Sequence, residues 1–235
     1  MDKKMMLLAF LFLIVIFGCA GKECARNVDP LSDDGYEEMR EVYDPIEPIN
    51  RVFYHINDFV YVWILDPVDR VYVKLPEDLR KGVRNFFHNA SLPVRFVGAA
   101  MQGKAEAGNV AGEFVVNTLL GFGGIADWTK YQYSDEEDIG QGLAVWGFSE
   151  GCYLILPLFG PTTLRDAVGE VGSFALSPTV LMDTIANVGY CSVETIDKWN
   201  ASSESYFSIK EKAISDPYLA LKRAYVDRRR DRISR

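Results

Sequence analysis

Apolar residues Ile49, Phe53, Ile56, Val60 and Trp63 recur at intervals of three and four, with Asn50, Asn57 and Asp58 on the opposite side. This period predicts an amphipathic helix, entered through Pro45 and Pro48 and closed at Asp66–Pro67. Its second half, "FVYVWIL", is apolar almost all round, the pattern of a helix that is deeply buried or faces lipid. "LPEDLRKGVRNFFHNASLP" predicts a further helix through Leu79, Val83, Phe86 and Phe87, broken at Asn89 and Ser91–Pro93, after which the chain restarts as "VRFVGAAMQGK". In "KAEAGNVAGEFVVNTLLGFGG", Glu106, Asn109, Glu113 and Asn117 share one helical face, beside a face of small residues that includes Gly108, Ala111 and Gly112. The glycines of "GFGG" predict its stop. "CYLILPLFGP" is strand-like or irregular, and "TTLRDAVGEVGSFA" predicts a helix capped by Thr162 or Thr163. A weaker apolar helix is expected over 177–191, then one opened by Ser192, and last a basic helix in "DPYLALKRAYVDRRRDRISR". Strand alternation is nearly absent, so the expected fold is mainly α, a single helical domain with irregular Gly/Pro-rich loops.

The first residues follow a different logic. "MDKKMMLLAFLFLIVIFGCAG" has Lys3 and Lys4, then an apolar run of 13 residues from Met5 to Phe17, then Gly18–Cys19. That run is shorter than the roughly 20 residues a membrane-spanning helix needs, and it reads as a secretory signal. "IFGC" resembles a bacterial lipobox, with Cys19 as the first mature, acylated residue. Residues 1–18 are therefore expected to be a lipoprotein signal peptide. Residues 19–43, polar and acidic, read as a lipidated tether, and 44–235 as the domain. Ala20, rather than Asp, after the cysteine favours the outer membrane. Cys152 and Cys191 can pair, with Cys24 left in the tether, or all three stay thiols.

The chain of 235 residues carries a net charge of −8, which argues against nucleic acid as the main partner. Residues 222–235 carry +5, leaving −13 on the rest, so the tail is expected to present a basic patch to headgroups or an acidic partner. His55 and His88 are the two histidines, and zinc and P-loop motifs are absent from the sequence. "GFSEG" has the spacing of a hydrolase nucleophile elbow at Ser149. That elbow needs a histidine later in the chain, and none follows His88. The expectation is that Ser149 is a polar loop residue, with catalytic and metal sites both absent.

Five blocks, in order, carry a resemblance: "DPIEPINRVFYHINDFVYVWILDPV", "VRNFFHNASLPVRFVGAAMQGK", "VVNTLLGFGGIAD", "EDIGQGLAVWGFSEGCYLILPLFGPTTLRDAVG" and "SDPYLALKRAY". Together they resemble the MlaA (VacJ) family of outer-membrane lipoproteins over roughly residues 44–225. Matching positions are Asp44, Pro45, Glu47, Asn50 and Arg51 in the first block, and Gly121, Gly123 and Gly124 in the third. In the fourth they are Gly140, Gly147, Gly151, Pro157, Gly160, Pro161, Leu164, Arg165 and Asp166. Pro48 and Ile49 depart from the usual pattern. The resemblance implies a ring-like helical domain, monotopic in the outer membrane, that returns mislocalised phospholipid from the outer leaflet. It also implies a trimeric porin and a soluble periplasmic lipid carrier as partners, without cofactor or catalytic residue. The Gly-rich region around 121–124 and 140–151 is then expected to frame the lipid path and supply its mobility. Two alternatives are a structural or assembly lipoprotein, and a serine lipid hydrolase at Ser149.

Overall fold

The computed structural model describes residues 42–129, 137–213 and 216–235. The signal peptide, Cys19, Ala20, Cys24 and nearly all of the tether lie outside them. Helix α1 spans Glu47–Val60, with Pro48 in its first turn, where a missing N–H costs no bond. Asp66–Pro67 does not end it. The chain widens into a π-helical turn, Tyr61–Leu65, and continues as α2, Asp66–Tyr72. The amide of Asp66 reaches back five residues to Tyr61, so the helix is already opened where Pro67 could not have donated.

Helix α3, Glu77–Met101, also runs through its expected break and keeps Pro93 in its interior. An interior proline costs about 3 kcal/mol. Leu92 and Ala99, both fully buried against neighbouring helices, offset that locally unfavourable residue. Helix α4, Ala107–Leu120, stops at the glycine run as expected. Helix α5 is Ile139–Val145, capped by Asp138, whose carboxylate accepts from Gln141 N. Strands β1, Tyr153–Leu156, and β2, Gly160–Thr163, pair antiparallel with Tyr153 opposite Thr163. The strand-like segment is thus a true hairpin.

Thr163 caps α6, Leu164–Leu176, by accepting from Asp166 N. A single helix α7, Thr184–Lys212, replaces the two expected there, because Asp183 supplies its cap. The Ser192 hydroxyl donates to Val188 O within that helix, at 2.7 Å, and so opens nothing. Helix α8, Pro217–Ser234, is the basic helix, capped by Asp216.

The elements close a circuit: α1 packs on β1, β2 on α8, α8 on α7, α7 on α2, and α2 joins α1 through the π-turn. Helix α3 packs on α4 and α5, and α5 on α6 and α8. The main core cluster is small and aromatic, built from Tyr54, Tyr153, Ile155, Tyr218 and Val226. Among the described residues no helix is long and apolar enough to cross a membrane.

Candidate functional site

The residues singled out in the sequence divide into an inner set of polar clasps and an outer set of apolar tips. The Asn50 carboxamide, 1% exposed, donates to Tyr153 O at 3.0 Å and accepts from Ile155 N at 2.9 Å. Asn57, seven residues on and hence on the same face of α1, repeats the pattern by donating to Leu156 O and accepting from Leu158 N. The pair ties α1 to the hairpin by side chains acting as an extra strand edge. Asn57 was not singled out as a site, although its spacing from Asn50 carried the signal.

Asp44 sits at the entry to the domain. Its carboxylate accepts from Asn50 Nδ2 at 2.8 Å, from Lys222 Nζ at 3.0 Å and from the Tyr218 hydroxyl. Pro45 lies in the turn that follows. Arg51 pairs with Glu47 and Asp216, each at 2.7 Å, and its guanidinium lies 4.4 Å from the centre of the Tyr218 ring. The opening motif is thus an anchorage for α8.

The basic tail is partly spent inside the protein. Lys222 and Arg229 are each 7% exposed, and Arg230 pairs with Glu150 at 2.6 Å. Arg229 joins Asp138 and Asp166, at the starts of α5 and α6, and Arg165 reaches Asp166 from the same helix. Burial alone would raise the Asp166 carboxyl, but hydrogen bonds and charge from Arg229, with help from Arg165, hold it below the usual carboxylate range. Arg229 is pushed the other way by its two carboxylates, against the effect of burial. The expected patch is therefore smaller than the sequence suggests.

The glycines do two jobs. Gly140 and Gly142 are buried inside α5 and serve close packing rather than turning. A Cβ on Gly140 would lie 2.7 Å from Asp166 Oδ1, and one on Gly169 would lie 2.5 Å from Gly140 N. These positions lock α5 to α6, which corrects the expectation that the region as a whole supplies mobility. Gly123, Gly124, Gly147, Gly151 and Gly160 have positive φ and do form turns. Gly121 lets Ala126 O close the loop behind α4.

These turns carry aromatic tips outward. Phe122 has φ 52° and is 85% exposed; Phe159, beside Leu158 at φ 69° and Pro157, is 86% exposed. Trp146 and Phe148 flank Gly147, and Phe59, Trp63 and Ile64 project from the first helical rod. Large apolar side chains held this far out of the core suit a surface that meets lipid or protein. Along "FVYVWIL", Phe59, Trp63 and Ile64 point outward while Tyr61 stacks on Trp199 at 4.9 Å; in β1, Tyr153 and Ile155 point into the core. Within the polar stripe of α4, Glu113 and Asn117 are buried, with Glu113 held 2.8 Å from His88 Nε2. Oε2 of Glu113 and the side-chain amide oxygen Oδ1 of Asn89 have no partner among the described residues.

Among the described residues Cys152 and Cys191 are not disulfide-bonded: Cys152 is buried before β1, and Cys191 is exposed on α7, where it donates to Asn187 of its own helix. The alternative of a Cys152–Cys191 bridge is thereby removed. Ser149 is exposed in a loop preceded by helix α5 and followed by strand β1. A nucleophile elbow needs the reverse order. No group of three or more His, Cys, Asp or Glu suited to a metal ion occurs among the described residues.

Comparison with known proteins matches this architecture. The family model described as MlaA lipoprotein matches residues 42–232. The intermembrane phospholipid transport system lipoprotein MlaA of Shigella flexneri is 33% identical, over 79% of this chain and 76% of that protein. Its namesake in Escherichia coli is 31% identical over the same shares. A structure solved in work on the maintenance of bacterial outer membrane lipid asymmetry has a TM-score of 0.69 and 28% identity, covering 81% of this chain and 98% of that one. The matched span takes in both Asp44 and the α8 side chains that hold it, so the clasps and the tips lie within one family domain. This chain belongs to the MlaA lipoprotein family.

Proposed function

We propose that this protein is an outer-membrane conduit that removes mislocalised phospholipid from the outer leaflet and passes it toward the periplasm, preserving lipid asymmetry. The observation that carries the reading is the set of outward aromatic and aliphatic side chains, Trp63 and Phe159 among them, on a domain of this family. The relatives named above are phospholipid transport lipoproteins, and the same role is assigned here on that likeness. In this reading residues 1–18 are removed, Cys19 is acylated on the periplasmic side, 19–43 form the tether, and 44–235 form the working domain. Lipid moves without chemistry and without nucleotide, so net flux comes from a gradient or an energised partner. A trimeric porin and a soluble periplasmic lipid carrier are the proposed partners. Ser149 has no catalytic part. Two acyl chains of about sixteen carbons cost on the order of 25 kcal/mol to expose to water, which is why an apolar surface has to accompany the lipid. Deletion should raise phospholipid on the cell surface and sensitise cells to detergent with EDTA, and Ser149→Ala should restore both. Unchanged surface phospholipid on deletion would overturn the reading; failure of a stably folded Ser149→Ala protein to restore would point to a hydrolase.

A further inference from the structure

Between the first halves of α3 and α7 runs a cleft of about 430 Å³. Leu79, Val83 and Phe86 line it from α3, Tyr190 and Val193 from α7, and Ile125 from the loop after α4. The α3 residues fall four and three apart, so they form one stripe facing another. Phe86, Phe87 and Tyr190 meet edge to face at 5.0–6.2 Å, which makes that part of the wall rigid. Gly189 also lines the cleft, and a Cβ there would meet nothing within 4 Å. The groove is therefore left open by the sequence.

We propose that this cleft seats one acyl chain of a membrane phospholipid while the second chain stays outside. The inference rests on the lipid-transport reading and adds where, and how much of, the lipid is held. The lining is apolar apart from Asp78 in the first turn of α3 and the Tyr190 hydroxyl, so a ligand with several buried polar groups would lose their water with little compensation. Shape sets the number of chains. The cleft lies between single stripes of α3 and α7, which suits one narrow apolar chain rather than a whole two-chain lipid with its headgroup. Leu79, Ile125 and Val193 are exposed at the lip and lead onto the exposed Val188, Ile185 and Leu181 of α7 and the turn before it. A chain can thus reach the cleft along apolar surface.

The test uses the full-length lipoprotein in nanodiscs of phosphatidylethanolamine and phosphatidylglycerol. A fraction of the lipid carries a photoreactive diazirine in one acyl chain. Peptides bearing Val83, Phe86, Tyr190 and Val193 should label above the rest of the apolar surface. Gly189→Leu fills the groove and should cut that labelling by about tenfold or more. Gly112→Leu, at another helical glycine whose Cβ meets nothing within 4 Å, should label like wild type, with both variants melting near wild type. Labelling that is uniform over the surface, or undiminished in Gly189→Leu, overturns the seat. So does a dimer whose cleft peptides are shielded from label, which would assign the groove to a second copy. If the seat fails while deletion still raises surface phospholipid, the proposed function stands without it. If deletion leaves surface phospholipid unchanged, the function fails whatever the labelling.

Discussion

Arg229 grips Asp166 with two parallel hydrogen bonds, Nη2 to Oδ1 at 2.8 Å and Nε to Oδ2 at 2.9 Å, inside the protein. The same guanidinium also reaches Asp138, so one side chain of α8 holds the starts of α5 and α6 together. Replacing Arg229 with Met keeps the length, takes the paired cation from Asp138 and leaves Asp166 with Arg165 alone. Thermal or urea unfolding should report a loss of about 3–5 kcal/mol. Arg229→Lys keeps the charge without the fork and should fall between. Truncation after Ala224 should accordingly unfold the domain rather than merely weaken a salt-sensitive surface contact.

Asp166 gives this pair a pH signature. Its folded carboxyl titrates below the ordinary value near 3.8, so the ionised form is favoured by folding. The stabilisation is fully present above that ordinary value and is lost as pH falls through the lower, folded one. Wild type should lose stability across that acid window. Asp166→Asn should be less stable at neutral pH and show a flatter acid limb in the same unfolding series.

The hairpin depends on two amides. Asn57→Ala leaves Leu156 O and Leu158 N without their partner, and Asn50→Ala does the same to Tyr153 O and Ile155 N. The Asn50 partners are buried and each, left unsatisfied, costs about 1–3 kcal/mol, whereas the partly exposed Asn57 partners cost less. Hydrogen exchange should quicken at Ile155 in the Asn50 variant and at Leu158 in the Asn57 variant. Protection at both amides in both variants would refute the clasp.

Thiol reactivity separates the cysteines. In a Cys24→Ser background, a maleimide should label Cys191 in the folded protein and Cys152 only after denaturation. Reductant should leave the melting temperature unchanged.

Membrane affinity of the domain itself can be read in a Cys19→Ala form, which removes the acylation site. Trp63→Asp and Phe159→Asp should each lower partitioning onto phospholipid vesicles by about tenfold or more, since burying a large apolar side chain is worth roughly 1.5–3 kcal/mol. Equal binding by all forms would take these tips off the membrane surface.

Much of the helical layout was legible because caps and glycine stops are local. Asp216 and Thr163 sit where capping chemistry places them, and "GFGG" ends α4. Proline misled in both directions of the first half. Pro93 sits within a helix whose flanking residues are buried, and Pro67 follows a π-turn that local pattern does not encode. The division of the motif residues into clasps and tips was not legible either. Nothing near Arg229 in the sequence distinguishes it from exposed Arg228; only the fold brings Asp138 and Asp166, 91 and 63 positions away, to one of them.

The Asp44 anchorage bears on the order in which the protein is made. Its partners Tyr218 and Lys222 lie 174 and 178 positions downstream. A chain that emerges amino end first therefore holds Asp44 without these two partners until nearly the last helix has arrived. Closing a contact that distant is slow relative to local helix formation. The last helix thus acts as the closing step of folding, engaging the start of the domain only once the rest of it has been made.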